Sequence, residues 1–203
     1  MRRTPVPRSS AREPAPALPR LPAPGGPVVV VGWLMAAWCV GFAAVNVGLV
    51  AGDSFEGGPY AEYADGLAAM SWIVFALKLV GAAVALDSVR DRPGAPAPAL
   101  GVLLWGATAL LGVYVTGSLL EVVGMVTGLT GSPEEITPSG VLYVAFFLAG
   151  ALGYGVLATS FARRSGTGLG SALIGLLLAP VGLGLLLVGI PLVLVALGVM
   201  PGY

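Results

Sequence analysis

Long apolar runs alternate with short polar connectors along the whole chain. The runs fall at about 28–51, 67–87, 99–128, 140–161 and 169–200, and each connector collects the charges of its neighbourhood. A run of about 20 apolar residues matches the roughly 30 Å hydrocarbon core of a bilayer at 1.5 Å rise per residue. The pattern therefore predicts an all-α fold, a polytopic transmembrane helix bundle of about five spans. The last run holds Pro180 and Pro191. As straight helix it would reach about 48 Å, yet two full spans need about 40 residues. One tilted or proline-kinked helix is the preferred reading, with a re-entrant hairpin as the alternative.

Residues 1–27 break the pattern. They contain eight prolines and five arginines and almost no large apolar side chains, so they cannot bury enough surface to offset their ordering entropy. They are expected to form a disordered, proline- and arginine-rich tail ahead of a membrane domain at 28–203. Arg2-Arg3 lacks the context of a twin-arginine export signal. The first apolar run also exceeds the roughly 7–15 residues of a cleaved signal core, so a signal anchor is expected.

Charge placement orients the bundle. Nine of the ten Lys and Arg residues lie in the tail, in Arg90–Arg92, or at Arg163-Arg164. Six of the ten acids (Asp53, Glu56, Glu62, Asp65, Glu134 and Glu135) lie in the two remaining connectors, which carry no Lys or Arg. The positive-inside rule then puts the N-terminus in the cytoplasm and the C-terminus outside. The halves 28–92 and 99–164 share this plan, which suggests a parallel repeat, although any two helical hairpins obeying the rule would share it too.

Composition agrees with lipid as the solvent: 57% of the 203 residues are hydrophobic and 10% charged, against about 25% charged in soluble domains. Net charge is zero, which points away from nucleic acid. No histidine and one cysteine, Cys39, remove most zinc and haem chemistry and any intrachain disulfide. Cys39 itself reads as a small buried hydrophobe. Neither a metalloprotease helix motif, a nucleophile elbow, a phosphate loop nor a dinucleotide fingerprint occurs. No enzyme activity, cofactor or metal is expected. The outer carboxylates match no calcium loop and read as solvated charges.

Two ionisable residues lie well inside the runs, Lys78 in the second and Glu121 in the third. A charge at the bilayer centre costs about 2.5–3.5 kcal/mol on insertion scales. Counted from the outer ends, they lie about 17 Å and 12 Å deep. Their i±3/4 neighbours are largely small or polar, including Ser71, Gly81 and Ala82 for Lys78 and Gly117, Ser118 and Gly124 for Glu121. Such faces pack against helices, whereas Ile73, Leu77, Val80 and Val84 would meet lipid or bulky partners. The favoured expectation is a buried Lys78–Glu121 ion pair that sets helix register. The second is a proton or substrate site, and the third is separate fates, with Lys78 snorkelling and Glu121 protonated. Asn46 joins them as the third member of a candidate intramembrane polar cluster, or else bonds across a helix interface.

Further features read as packing. Ala37, Gly41, Ala44, Gly48 and Gly52 form a small-residue stripe, and Gly48-x3-Gly52 and Gly124-x3-Gly128 match the close-packing motif. Among 31 glycines such matches support tight bundling and say little of dimerisation. Trp33, Trp72, Tyr143 and Phe161 lie near run ends and are expected as interfacial anchors. The tail repeats Pro-x2-Pro at Pro16, Pro19 and Pro22, a spacing that proline-reading domains use; an inert tail is preferred.

Trp72-x5-Lys78, Arg90-x-Arg92-Pro93 and Trp105-x8-Tyr114 together resemble a domain-of-unknown-function family of small actinobacterial integral membrane proteins. The resemblance covers roughly residues 33–162. It implies four or five helices in a bacterial plasma membrane and no particular activity. The partners expected are the lipid bilayer and further copies of the chain or a partner membrane subunit, since five helices enclose only a thin pathway. The functional expectation is a non-enzymatic multi-pass protein. The alternative is a small transporter or channel subunit using Glu121 or Lys78.

Overall fold

A computed structural model describes residues 20–57 and 61–199. Its helices are α1 (Gly26–Ala51), α2 (Ala64–Ser88), α3 (Ala97–Thr127), α4 (Pro138–Ser165), α5 (Leu169–Gly184) and α6 (Ile190–Ala196). Single 3₁₀ turns, Ala61–Tyr63 and Pro133–Glu135, lead into α2 and α4. No strand occurs among the described residues. Five helical stretches are long and apolar enough to cross a membrane: Gly26–Ala51, Ala61–Ser88, Ala97–Thr127, Pro138–Ser165 and Leu169–Ala196. These are the five apolar runs: the first, second and fourth are extended by a few residues, the third is shifted to Ala97–Thr127, and the last ends at Ala196.

Local chemistry sets the helix ends. Proline occupies the first turn of α1, α3 and α4, where its missing N–H costs nothing. Thr137 caps α4 by accepting the Gly140 N–H at 3.1 Å. Gly128 and Gly166 end α3 and α4 with φ of 72° and 65°, a left-handed region glycine enters without a Cβ clash. Arg163 and Arg164 occupy the last turn of α4, where positive charge complements the helix dipole.

The fifth span is one irregular helix rather than a hairpin. Between α5 and α6 the backbone widens to a π turn, Leu185–Gly189, in which the Ile190 N–H bonds the Leu185 carbonyl. Pro191 follows directly and cannot donate to the carbonyl four residues back, so the wide turn falls where the α ladder would fail.

α1 packs chiefly on α2 and also on α4, while α3 packs on both α4 and α5. α2 and α3 barely touch. At the α3–α5 crossing a Cβ on Gly175 would come 2.6 Å from the Val102 carbonyl oxygen, so the two backbones meet where no larger residue fits. The buried core comprises Met35, Cys39, Ala85, Leu100, Leu104, Leu111, Tyr154, Leu157 and Phe161, among others. Leu142, Leu177, Leu120 and Val181 are 73%, 70%, 66% and 65% exposed; in water such surfaces would aggregate, and in a bilayer they face acyl chains.

Several expectations are corrected. The stripe Ala37, Gly41, Ala44, Gly48 is exposed, and α1 instead buries Gly32, Met35, Ala36, Cys39, Ala43 and Asn46. Phe161, expected at the interface, is fully buried. Trp33, Trp72 and Tyr143 are exposed. The proline-rich stretch divides: residues 1–19, with most of the tail and its Pro16 and Pro19, lie outside the described residues, whereas 20–25 lie against the bundle. There the Leu21 N–H bonds the Asp91 carbonyl at 2.8 Å, and Arg164 donates to the Pro22 carbonyl at 3.2 Å and to the Ser88 carbonyl.

Candidate functional site

The three residues of the expected polar cluster part company. Asn46 is buried, and its side-chain amide donates to the Phe42 carbonyl of its own helix at 2.8 Å. Glu121 is exposed and lines a shallow cleft with Thr130 and Glu135 at the acidic end of the bundle. Lys78 points into the helices and lies under aromatic rings. Among the described residues the salt bridge is Arg90 to Asp87, at 3.6 Å. The Lys78–Glu121 ion pair is therefore not formed.

Depth explains this. α3 has 31 residues, about 46 Å of helix against a core of about 30 Å. Glu121 is six residues from its last residue, about 9 Å, so the overhang carries the carboxylate towards the headgroups. Lys78 is about 21 Å from the start of α2 and about 15 Å from its end, close to mid-depth.

What Lys78 meets instead is an aromatic cage. Its Nζ is 4.6 Å from the centroids of both Trp38 and Phe42 and 5.6 Å from that of Phe147. Trp38 and Phe42 stand one turn apart on α1 and so share a face; Phe147 reaches in from α4. The rings hold each other. Trp38 stacks on Phe146 with centroids 4.8 Å apart and donates its indole N–H to the Phe146 carbonyl at 3.2 Å. Phe147 packs on Tyr114 at 4.5 Å and Tyr143 at 4.8 Å. Ring faces attract a cation by about 2 kcal/mol or more when it is desolvated, which offsets much of the insertion cost of Lys78. Gly150 makes room for this arrangement, since a Cβ there would lie 2.9 Å from the Trp38 ring.

The cage stands at the wall of a cavity of about 470 Å³ between α2, α3 and the fifth span. Ile73, Leu77, Val80 and Val84 form its α2 wall, the side of the helix expected to meet lipid or bulky partners. Leu110 of α3 and Leu178 of α5 face them. The polar side chains at its wall are Lys78, Cys39, Tyr154 and the edge of Trp38. Cys39 Sγ and Tyr154 Oη are hydrogen-bonded at 3.0 Å. Gly81 presses on that pair; a Cβ there would come 2.9 Å from Tyr154 Oη and 3.1 Å from Cys39 Sγ. A mostly apolar hollow of this size with a few convergent polar groups has the form of a small-molecule site. No group of three or more metal-binding side chains occurs among the described residues.

Sequence reasoning missed the cage and Tyr154. The available signal was a mid-span lysine with no carboxylate at equal depth, together with Trp38 and Phe42 at i, i+4 spacing.

The fold and this hollow define a multi-pass integral membrane protein with an intramembrane cavity. Comparison with family models, with curated proteins and with solved structures finds no match for the chain.

Proposed function

We propose that this protein is a non-catalytic, multi-pass component of a bacterial plasma membrane that holds a membrane-dissolved apolar molecule in the cavity between α2, α3 and α5. The observation that carries the reading is the hollow itself. α2 and α3, adjacent in sequence, stand apart over an apolar wall, where close packing would otherwise be the rule. The charge pattern supports a cytoplasmic N-terminus and an external C-terminus. The plasma membrane is proposed on the motif resemblance of Trp72-x5-Lys78, Arg90-x-Arg92-Pro93 and Trp105-x8-Tyr114 alone.

A second reading, a small transporter moving that guest between leaflets, is favoured by one feature. The fifth span lines the cavity with Gly182, Leu185 and Ile190 and carries its π turn there. Irregular turns of this kind often mark functional positions in helices. Lys78 would be its polar contact; Glu121 lies elsewhere.

The test is photolabelling in nanodiscs with a diazirine-bearing sixteen-carbon hydrocarbon. Labels should concentrate on Val84, Leu110 and Leu178, and Gly182→Phe should remove them, because a Cβ at Gly182 meets open space on the cavity wall. Labels spread evenly over Leu142, Leu177 and the other lipid-facing side chains would refute the reading.

A further inference from the structure

The electrostatics of the cavity say more about its guest than its shape does. Its wall carries one cation, Lys78, and no carboxylate. The cage attracts the ammonium but brings no negative charge, so a net positive charge remains near mid-bilayer. Arg164 Nε is the buried side-chain nitrogen left without a partner among the described residues; Lys78 is not among such sealed groups, and its side chain lines the hollow. Beside it, the Cys39–Tyr154 pair has two hydrogens and spends one on their mutual bond. The other remains to be donated.

Resting on the reading that the cavity holds an apolar guest, we propose that this guest is a single-chain amphiphile with an anionic end, a long-chain carboxylate, whose oxygens bond the Lys78 ammonium. Depth separates it from a diacyl phospholipid. A phosphate headgroup stays at the interface, about 15 Å from the bilayer centre, and the Lys78 backbone is itself about 15 Å from the nearer end of α2. A lysine side chain does not cover that distance. A lone carboxylate can descend, because an ammonium waits for it and the pair together is neutral. Its chain has apolar wall to lie on: Gly175 to Ile190 of the fifth span border the cavity, about 22 Å of helix.

Binding of carboxyl-labelled palmitate and of hexadecanol is measured on the full chain in phosphatidylcholine nanodiscs, with empty nanodiscs as the blank. Palmitate is expected to bind about ten-fold more tightly than the alcohol, the factor that one strong polar contact supplies. Lys78→Met should abolish the preference for palmitate over hexadecanol. Lys78→Gln serves as a second variant, and the wild-type comparison stands without either. Equal binding of acid and alcohol, blocked by Gly182→Phe, would overturn the anionic end and spare the apolar cavity. Binding of neither above the blank would overturn both.

Discussion

The Lys78 ammonium lies 4.6 Å from the centroid of the Trp38 ring, and that contact between α1 and α2 replaces the ion pair expected with α3. Its strength is measurable. In a double-mutant cycle with Lys78→Met and Trp38→Leu, unfolding in mild detergent should show a coupling of about 0.5–2 kcal/mol. The parallel cycle of Lys78→Met with Glu121→Gln should be additive to within about 0.3–0.5 kcal/mol. The opposite ranking would restore the ion pair and remove the cage.

The second prediction concerns the polar corner of the cavity. Gly81→Ala forces a methyl group to within 2.9 Å of Tyr154 Oη and 3.1 Å of Cys39 Sγ. Overpacking of this kind costs about 1–3 kcal/mol. Tyr154→Phe removes only a hydrogen bond, worth about 0.5–1.5 kcal/mol. In the double variant, loss of the hydroxyl relieves part of the clash, so the combined cost should fall below the sum. Thermal unfolding of the three variants gives the answer.

Arg164 ties the segment before α1 to the ends of α2 and α4 through the Pro22 and Ser88 carbonyls. Hydrogen bonds to a charged donor contribute about 1.5–3 kcal/mol. Arg164→Met should destabilise by that amount. It should also free residues 20–25, read as faster amide exchange at Leu21, whose N–H bonds the Asp91 carbonyl. Arg164→Lys should recover little, since an ammonium lacks the planar fork that reaches two carbonyls at once. Unchanged exchange at Leu21 would show that the segment is held by its apolar contacts alone.

Sidedness has a direct readout because the single native thiol, Cys39, is 2% exposed and should resist maleimides in the folded protein. On a Cys39→Ala background, Glu134→Cys should react with an impermeant maleimide in intact cells. Arg92→Cys should react only after permeabilisation. The reverse pattern would invert the bundle and leave its packing untouched.

The sequence displays the five spans openly because exclusion from water leaves an unmistakable mark: long runs that the connectors interrupt with charge. It displays much less of which face of each helix turns inward. In a soluble protein, polar residues mark the outer face; here lipid and core are both apolar, so the contrast vanishes. Hence Ala37, Gly41, Ala44 and Gly48 looked like a packing seam and prove exposed. On α2, Ser71 and Ala82 are buried as their small size suggested, and Gly81 is half-buried. Charge depth was legible only to the accuracy of the span ends, and the overhang of α3 was enough to separate Glu121 from Lys78. The cage could not be seen in any one segment, because its rings come from α1 and α4 and its cation from α2.

The aromatic housing of Lys78 also constrains the order in which this membrane domain can change. Rings without the cation are an ordinary apolar contact that lipid-embedded helices tolerate. The cation without the rings is a bare charge at mid-bilayer, with a penalty of about 2.5–3.5 kcal/mol. Mutational routes into this arrangement therefore run through Trp38, Phe42 and Phe147 first, and routes out of it run through position 78 first. Swapping those steps passes through chains that carry a bare charge at mid-bilayer and insert poorly.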